Sequence, residues 1–408
     1  MTTFARTILF MERLFEKFQQ KLARTNTSFV RSIMQTIHWD ARMIAIKGAR
    51  GVGKTTLLLQ YIKLHLKEEI NQVLYLSLDS IWFAEYKLVD LADQFVKRGG
   101  KYLFLDEVHQ YPNWSQELKN IYDDYPELKI VFTGSSLLEI LNARADLSRR
   151  AVQYSLQGLS FREYLNLTQG SHFNPILLDD LLKNHLSYSN ELITQIKPLQ
   201  HFDTYLKTGY YPYFKEEESL YYRRVEEVLN MVIEIELPLL RGVEPAFTRK
   251  LKQLLLVIAE SAPFIPNISS LSQKIGITRS TLLSYLEYLS EARLTNNIYK
   301  DSKGVSRLQK PDKLFLENTN LMHLLAGNNA DKGSLRETFF VNQLSNGHIV
   351  EFAEHGDFVV DNLLTFEIGG QRKNKKQIRH LEASYVAADD LEYGWGNKIP
   401  LWLFGFLY

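Results

Sequence analysis

One short segment combines glycines with a lysine and a hydroxyl in the pattern G-x-x-x-x-G-K-[ST]: Gly48-Ala49-Arg50-Gly51-Val52-Gly53-Lys54-Thr55. It follows an apolar run, Met43–Ile46, and opens a segment with helical spacing, Thr55–Leu66. Glycines let the backbone curl until consecutive N–H groups point at phosphate oxygens, and a helix N-terminus adds partial positive charge. A chance glycine turn is the alternative, but both flanks argue against it. The segment therefore predicts a phosphate-binding loop that includes Gly48, Gly51, Val52, Gly53, Lys54, Thr55 and Thr56.

Two side chains of this loop carry specific chemistry. An ammonium at Lys54 is placed to reach the β- and γ-phosphates of a nucleotide. The hydroxyl of Thr55, one residue later, is placed to ligate Mg²⁺. The loop therefore predicts a nucleotide site that also holds Mg²⁺.

An acidic pair follows a second apolar run. Tyr102–Leu105 has the composition of a buried strand, and Asp106 and Glu107 come directly after it. We expect Asp106 to anchor Mg²⁺ through water, and Glu107 to orient or deprotonate an attacking water. A solvated turn is the alternative, but the phosphate-binding loop upstream favours the functional interpretation. Two consecutive acids indicate hydrolysis rather than passive binding.

A small polar cluster ends the next apolar run, Ile130–Phe132, with the residues Thr133-Gly134-Ser135-Ser136. A hydroxyl at this place can sense the terminal phosphate of a nucleotide. Ser135 is the residue we expect in that role, and Thr133 is the rival. The alternative is a plain Gly–Ser turn.

Arginines lie shortly beyond this cluster. Arg149 and Arg150 are candidates for an arginine finger, which increases the rate of phosphoryl transfer by a factor on the order of 10³–10⁵. Such a finger acts either in cis or on a neighbouring subunit, and a solvated basic turn is the alternative. Arg144 is interpreted as ordinary surface charge.

Composition limits the remaining function classes. The length of 408 residues predicts two or three domains. The hydrophobic content of 45% excludes a wholly disordered chain. Cysteine is absent, which excludes disulfides, thiolate metal sites and cysteine nucleophiles and fits a reducing compartment. The net charge is only +1, so no global attraction to nucleic acid or membrane is expected. Neither a signal peptide nor a membrane-spanning run is apparent, so we expect a cytoplasmic protein without a membrane partner.

The elements that position these residues follow from periodicity. Four apolar runs each precede a segment with helical spacing, which predicts a parallel α/β sheet: Met43–Ile46, Val73–Leu78, Tyr102–Leu105 and Lys129–Phe132. Helical patterns continue beyond Gly158 without further strands as far as Leu240. At the end of the chain, Leu401–Tyr408 reads as a buried strand.

With these motifs in order, the chain resembles the bacterial and archaeal AAA+-type P-loop ATPases that carry a C-terminal winged helix and a PD-(D/E)xK nuclease-like domain. The resemblance rests on the phosphate-binding loop, the acidic pair with its following Tyr111-Pro112-Asn113-Trp114, the Thr133–Ser136 cluster, Ser148-Arg149-Arg150, and Gly158-Leu159-Ser160-Phe161-Arg162-Glu163-Tyr164. It implies binding and hydrolysis of ATP with Mg²⁺. It also implies a P-loop NTPase fold, with a parallel sheet and helices on both faces.

The same resemblance implies a division of the chain. We expect an N-terminal helical extension over 1–40, a P-loop AAA+ core over 41–158, a helical lid over 159–245, a winged helix over 246–310 and a small α/β nuclease-like domain over 311–408.

A helix–turn–helix pattern lies inside the predicted winged helix. Ile268–Ile277 and Thr278–Leu289 have helical spacing, with Gly276 at the turn and Thr278 as N-cap. Buried positions of the second helix are expected to be Leu282, Leu283, Leu286 and Leu289, and the wing strands Leu294–Tyr299 and Leu314–Leu316. The second helix presents Arg279, Ser280, Ser284 and Tyr285 beside Glu287 and Glu291. DNA contact in the major groove and a protein–protein or interdomain role both stay open.

Three acids in the last segment are candidates for a degenerate nuclease site: Glu337, Asp357 and Glu367. Such a site needs a lysine two residues after the last acid, and Gly369 stands there. Lys373, Lys375 or Lys376 could substitute, and the basic stretch Arg372–Arg379 is the candidate phosphate-contacting patch. The alternatives are an inactive scaffold kept for binding, or an ordinary sheet with surface acids.

Together these patterns predict an ATP-dependent molecular switch that is coupled to the C-terminal regions. Two alternatives stay open, an ATP-regulated nuclease that processes DNA and a nucleotide-binding scaffold with little turnover. ATP and ADP are the expected ligands, while DNA, a protein partner or a second copy of the chain are further candidates.

Overall fold

The protein divides into two compact units, Met1–Gln157 and Gly158–Tyr408, which are described separately. A computed structural model describes residues 3–137, 147–261, 265–300 and 310–408. Within these ranges, no helix has the length and apolar character needed to cross a lipid bilayer. Arg144 and most of the helical segment predicted at Leu137–Leu141 lie outside the described residues.

The first unit is a five-stranded parallel sheet in the order β2-β3-β4-β1-β5. Its strands are β1 Met43–Gly48, β2 Val73–Ser77, β3 Tyr102–Asp106, β4 Lys129–Ser135 and β5 Val152–Ser155. Its α-helices are α1 Thr3–Arg24, α2 Ile33–Thr36, α3 Lys54–His65, α4 Leu88–Lys97 and α5 Trp114–Asp124. Because all neighbouring strands run parallel, their carboxyl ends meet at one edge of the sheet.

Helices cover both faces of this sheet. Successive strand residues point to opposite faces, so strands of a doubly covered sheet are apolar throughout. Tyr61 of α3 packs against Phe104 of β3, with ring centroids 6.1 Å apart. On the opposite face, Trp114 of α5 packs against Phe132 of β4 at 5.9 Å. The predicted parallel α/β sheet is confirmed, and with it the burial of its four apolar strands.

Two features of the first unit differ from the prediction. The patterns do not predict strand β5, because Gln153 and Ser155 interrupt any apolar run in this segment. The predicted N-terminal extension is part of the first unit, since Met11 and Leu14 of α1 are buried in the same core as the sheet.

The second unit combines many helices with two small sheets. Its α-helices are α6 Phe161–Gln169, α7 Leu178–Ile193, α8 Pro198–Thr208, α9 Tyr221–Met231, α10 Leu237–Arg241, α11 Thr248–Glu260, α12 Ile268–Ile275, α13 Arg279–Glu291, α14 Thr319–Ala326 and α15 Lys332–Leu344. A π-helical turn at Val232–Glu236 joins α9 to α10. Its strands are β6 Thr295–Ile298, β7 Lys313–Leu316, β8 Val350–Phe352, β9 Phe358–Val360, β10 Leu364–Gly369, β11 Ser384–Ala388 and β12 Lys398–Pro400. The larger sheet has the order β12-β11-β10-β9-β8, with β10, β11 and β12 parallel and β8, β9 and β10 antiparallel.

One hydrophobic core joins the predicted lid to the C-terminal sheet. Phe202 of α8 packs edge-on against Phe339 of α15, with ring centroids 4.7 Å apart, and Phe161 of α6 lies 5.3 Å from Phe202. The predicted boundaries at 245 and 310 therefore do not separate compact units. The reason is that α6 and α8 carry an aromatic face, and α15 with its sheet covers that face. Leu401–Phe406 also belongs to this core as a 3₁₀ helix, so the strand predicted there is wrong.

The helix–turn–helix pattern has the geometry expected of it. Gly276 ends α12 with a left-handed φ of 72°, and the Thr278 hydroxyl caps α13 by accepting a 3.1 Å bond from the Thr281 N–H. Strands β6 and β7 pair antiparallel, across the boundary predicted at residue 310. Tyr285 is buried and Leu283 is only half-buried, which reverses their expected exposure. The assignment of this segment as a winged helix stays a prediction.

Candidate active site

The phosphate-binding loop connects the end of β1 at Gly48 to the start of α3 at Lys54. Gly51 and Gly53 have φ angles of 82° and 99°, which residues with a side chain rarely adopt. At Gly48, a Cβ atom would lie 2.4 Å from the carbonyl oxygen of Leu156. The glycines are therefore required by the curl of the loop and by its close approach to the chain beyond β5.

Lys54 lies in the first turn of α3 and is only 5% exposed. Its ammonium donates to the carbonyl oxygens of Gly48 and Ala49 at 3.0 and 3.1 Å. A buried ammonium needs such partners, since desolvating an unpaired charge is costly. The Nζ atom also lies 3.9 Å from Oε1 of Glu107. The loop thus holds a positive charge at its centre, close to the acidic pair, whereas Thr56 on the same helix turn is exposed.

Asp106 ends β3 with only 1% of its surface exposed, and three hydroxyl groups surround its carboxylate. Thr55 Oγ1 donates to Oδ2 at 2.6 Å, and the Tyr75 hydroxyl donates to the same oxygen at 2.7 Å. Thr133 Oγ1 donates to the other oxygen, Oδ1. The carboxylate is therefore oriented from α3, β2 and β4 at once.

Tyr75 is a residue that the sequence patterns did not single out. Burial, and then the negative charge of Asp106, raises the pKa of its hydroxyl far above the ordinary value. Tyr75 therefore stays protonated and remains a hydrogen-bond donor at all physiological pH values. Its only sequence signal is its place inside the predicted strand Val73–Leu78, which carries no motif.

Glu107 adopts a left-handed backbone conformation, with φ at 54°, directly after β3. For a residue with a side chain this conformation costs about 1–2 kcal/mol, and such costs concentrate at functional sites. The Glu107 N–H donates to Thr133 Oγ1 at 3.1 Å, which holds the turn. The side chain is 20% exposed, so its carboxylate is open to water while Asp106 is not.

Thr133 contacts both members of the acidic pair, through the Asp106 carboxylate and the Glu107 backbone. The geometry therefore favours Thr133, the rival residue, for contact with the acidic pair. Ser135 is buried two residues further on, and its N–H donates to Nδ1 of His109 at 3.2 Å. That ring nitrogen lies 3.4 Å from Oε2 of Glu107, so Ser135 and His109 line the same edge of the sheet.

Arg31 is a second residue that the sequence patterns did not single out. Its buried guanidinium donates to the carbonyl oxygens of Val52 at 2.9 Å and Gln157 at 2.8 Å. It thereby ties the phosphate-binding loop to the end of the first unit. No spacing or motif marks this arginine in the sequence.

The candidate finger arginines lie far from this loop. Arg150 forms a two-pronged ion pair with Asp123, at 3.0 and 3.1 Å, near the C-terminal end of α5. Arg42, which directly precedes β1, lies over the ring of Tyr122 in the same cluster. The cluster is therefore at the amino ends of the strands, opposite the phosphate-binding loop. This position contradicts an action of Arg150 in cis, and Arg149 is exposed on the adjoining 3₁₀ turn.

The three C-terminal acids are linked by two lysines. Glu337 is on α15, Asp357 directly precedes β9 and Glu367 is on β10. Lys313 Nζ lies 3.1 Å from Glu337 Oε2 and 3.9 Å from Asp357 Oδ1. Lys373 Nζ lies 2.5 Å from Glu367 Oε2 and 3.9 Å from Asp357 Oδ2. Lys313 was not expected from the sequence.

Lys373 takes the space that a side chain at position 369 would need. A Cβ atom on Gly369 would lie 2.8 Å from the aliphatic carbons of Lys373. Of the three lysines proposed as substitutes, Lys373 is the one whose ammonium meets the acids. Lys375 lies near the Ser384 hydroxyl at 3.5 Å, and Lys376 is exposed.

Comparison with known proteins finds a family match that includes the sheet of the first unit. Residues 40–165 match the family described as AAA domain, and residues 199–332 match a domain of unknown function (DUF8612). The first match supports an AAA+ P-loop ATPase.

The uncharacterized protein MJ1637 of Methanocaldococcus jannaschii is 30% identical over 285 residues. The match covers 67% of this chain and 60% of that protein, so the chain spans less than two thirds of its relative.

Three solved structures align with parts of this chain at low identity and low TM-score. The Orc1 protein of Aeropyrum pernix, in complex with DNA, aligns over 77% of this chain and 92% of its own, with 14% identity and a TM-score of 0.31. Hsp104 of S. cerevisiae, in an ADP complex, covers 69% and 41%, with 14% identity and a TM-score of 0.32. DnaA of Aquifex aeolicus, bound to AMPPCP, covers 64% and 84%, with 14% identity and a TM-score of 0.25.

The residues of the segment that matches the AAA domain family suit a nucleotide with Mg²⁺. Thr55 and Asp106 supply hydroxyl and carboxylate oxygens, the ligand types that Mg²⁺ takes in proteins. The glycine curl and the Lys54 ammonium supply donors and positive charge for phosphate oxygens.

Proposed function

We propose that the AAA domain binds ATP with Mg²⁺ and hydrolyses it to ADP and phosphate, as a switch coupled to the second unit. The observation that carries the proposal is the hydrogen bond from Thr55 to Asp106, with Glu107 alongside and 3.9 Å from Lys54. These residues join the phosphate-binding loop to the acidic pair. A loop that bound phosphate for structural reasons alone would have no need of the second, more exposed carboxylate.

Each residue of the site has a distinct role in this proposal. The loop N–H groups and the Lys54 ammonium bind and orient the phosphates. Thr55 and Asp106 hold Mg²⁺, which neutralises phosphate charge when bound. Tyr75 and Thr133 orient the Asp106 carboxylate, because each donates a hydrogen bond to one of its oxygens.

Glu107 is the residue proposed to act on the attacking water. Its partly exposed carboxylate accepts a proton from that water while the water oxygen attacks the terminal phosphorus, and the bond from that phosphorus to the bridging oxygen breaks as ADP leaves. The Thr133 hydroxyl accepts a bond from the Glu107 N–H and so fixes the turn that carries the carboxylate. The proton is then released with the products, and Glu107 returns to its ionised form.

The arginines complete the site only from a second copy of the chain. Arg149 and Arg150 stand at the amino ends of the strands, while the phosphate-binding loop stands at the carboxyl ends. A head-to-tail arrangement of two copies brings these opposite edges together. We therefore propose self-association as the route by which an arginine finger reaches the nucleotide.

For the second unit we propose an interaction module rather than a reader of DNA. The exposed surface of α13 offers Arg279, Ser280 and Ser284, but also Glu287, which a phosphate backbone would repel. Mixed charge of this kind suits a protein surface. The nuclease alternative is not favoured, because Lys313 lies between Glu337 and Asp357 and adds a second ammonium to the one lysine that such a site requires.

A phosphate-release assay on the full chain, with and without duplex DNA, tests the proposal. Lys54→Ala removes the ammonium from the loop and is expected to abolish ATP binding and phosphate release. Lys67→Ala is the matched control, since Lys67 is exposed just beyond the same helix. ATP binding by Lys54→Ala at wild-type affinity would contradict the site. Binding without release in the wild type would favour the scaffold alternative, and a rate increase with DNA would make DNA the partner.

A further inference from the structure

Lys313 occupies the centre of the C-terminal acids. It is the first residue of β7, and its side chain is only 7% exposed. Its ammonium lies between the carboxylates of Glu337 and Asp357, at 3.1 and 3.9 Å. An oxygen cluster that binds a divalent ion places the metal between its carboxylates, where this ammonium lies.

Aromatic rings fix the ammonium from another side. The Nζ atom lies 4.9 Å from the ring centroid of Phe358 and 5.8 Å from that of Phe352. Cation–π attraction is stronger when the cation is desolvated, as it is here. Lys313 is thus held by two carboxylates and two rings, unlike a surface lysine that swings aside freely.

The third acid, Glu367, is buried and has few partners. Glu367 is 1% exposed, and both of its carboxylate oxygens are buried without a well-aligned hydrogen bond. Its Oε2 atom lies 2.5 Å from Nζ of Lys373, which makes an ion pair although the alignment is poor, and the stem of Lys373 fills the space left by Gly369. Three carboxylates and two ammonium groups leave the cluster with a formal charge of −1. Among the described residues, no group of three or more His, Cys, Asp or Glu side chains is arranged to hold a metal ion.

Lys313 and Lys373 therefore neutralise most of the negative charge of the cluster. Burial raises the pKa of Glu337, while the neighbouring Lys313 ammonium opposes that rise and favours the ionised acid. A divalent ion entering this space would meet two ammonium groups at short range. Repulsion between like charges at such distances is large where water is excluded.

We infer that Lys313 is a built-in counter-cation that takes the place of a divalent metal ion in the C-terminal acid cluster. The second unit then neither holds Mg²⁺ or Mn²⁺ at these acids nor uses them to cut phosphodiesters. Removing the ammonium leaves three carboxylates, of which Glu367 is buried and the other two are partly exposed, with one lysine, and creates a divalent-cation site. This inference does not depend on the proposed ATPase activity, because it concerns acids of the second unit alone.

Mn²⁺ titration of the nucleotide-free full chain, followed by electron paramagnetic resonance, tests the inference. Lys313→Met is expected to bind one more Mn²⁺ per chain than the wild type. Its affinity for this ion should be at least about tenfold higher than any affinity that the wild type shows at these acids. The double variant Lys313→Met/Glu367→Gln is expected to lose this site. Lys313→Arg keeps the positive charge and is the matched control, in which no site should form. Circular dichroism and thermal melting establish that each variant is folded.

Two results would overturn the inference. One is a wild-type Mn²⁺ site that disappears in Glu367→Gln, which needs no change at Lys313 and so remains decisive if Lys313→Met fails to fold. The other is a folded Lys313→Met protein with the same Mn²⁺ binding as the wild type.

Discussion

The Thr55 hydroxyl donates a 2.6 Å hydrogen bond to the Asp106 carboxylate, across 51 positions of sequence. It joins the first turn of α3 to the end of β3, although β4 lies between β1 and β3 in the sheet. Tyr75 and Thr133 complete the set of hydroxyls around the same carboxylate. The orientation of Asp106 is thus set by neighbouring elements, and changes to these donors should alter the Mg²⁺ requirement before they alter the fold.

Tyr75→Phe removes one of the hydroxyl donors and keeps the aromatic ring. A hydrogen bond to a charged group contributes about 1.5–3 kcal/mol, so we expect the Mg²⁺ concentration for half-maximal hydrolysis to rise on the order of tenfold. Hydrolysis rates measured across a Mg²⁺ series check this expectation. Tyr102→Phe, at the far end of β3, is the matched control and should change little. An unchanged Mg²⁺ requirement in a folded Tyr75→Phe protein would rule out the positioning role.

Mixing two inactive variants tests the arginine finger. Lys54→Ala keeps both arginines but lacks a working loop, whereas Arg149→Ala/Arg150→Ala keeps the loop and lacks both arginines. We expect each protein alone to hydrolyse ATP at least about a thousandfold more slowly than the wild type, and the mixture to recover a measurable fraction of the activity.

Asp123→Ala is the control for this experiment. It breaks the partly exposed ion pair with Arg150, at a cost of about 0–1 kcal/mol, and leaves both arginines in place. It should therefore remain active. A mixture that stays inactive, or a double arginine variant with the wild-type rate, would contradict the proposed action in trans.

Several parts of the site and fold were open to prediction from sequence because their signals are local. The phosphate-binding loop needs glycines at fixed spacing, and the acidic pair directly follows an apolar strand, so both can be read without knowing the fold. Tyr75 and Lys313 carry no such signal. Each meets its acids through strand register and tertiary packing, and neither is a neighbour of those acids in sequence.

The packing of the predicted lid could not be predicted from the sequence either. Its helical spacing was correct, but spacing does not reveal which surface covers an aromatic face. Phe202 contacts Phe339 and Phe161 contacts Phe406, and each of these partners lies more than a hundred residues later in the sequence. Likewise, Leu401–Phe406 is apolar at nearly every position, and its burial on all sides is compatible with either a strand or a tight helix.

Glu317 predicts a pH dependence for the second unit. Burial raises the pKa of this carboxyl from 4.5 to about 7, although Arg293, 3.9 Å away, opposes the rise. The pKa of this carboxyl is higher in the folded than in the unfolded state, so folding favours its protonated form. Its contribution to the free energy of unfolding is therefore fully present below pH 4.5 and is lost as the pH rises through 7.

We expect Glu317→Gln to melt at a higher temperature than the wild type at pH 8, and to lose this advantage near pH 4.5. The advantage in the free energy of unfolding that Glu317→Gln gains between pH 4.5 and pH 8 is on the order of 3 kcal/mol. Thermal melting between these pH values provides the measurement, with exposed Glu260→Gln as control. A wild-type and a Glu317→Gln protein with parallel pH profiles would show that Glu317 titrates normally.

In the proposed mechanism Glu107 drives hydrolysis, while the rest of the site binds ATP. The most direct measurement compares ATP affinity and phosphate release for wild type, Glu107→Gln and the exposed control Glu68→Gln. We predict that Glu107→Gln binds ATP with wild-type affinity and releases phosphate at least about a hundredfold more slowly, because a general base contributes about 10²–10⁴ in rate. Phosphate release by Glu107→Gln at the wild-type rate would show that Glu107 is not the general base of this site.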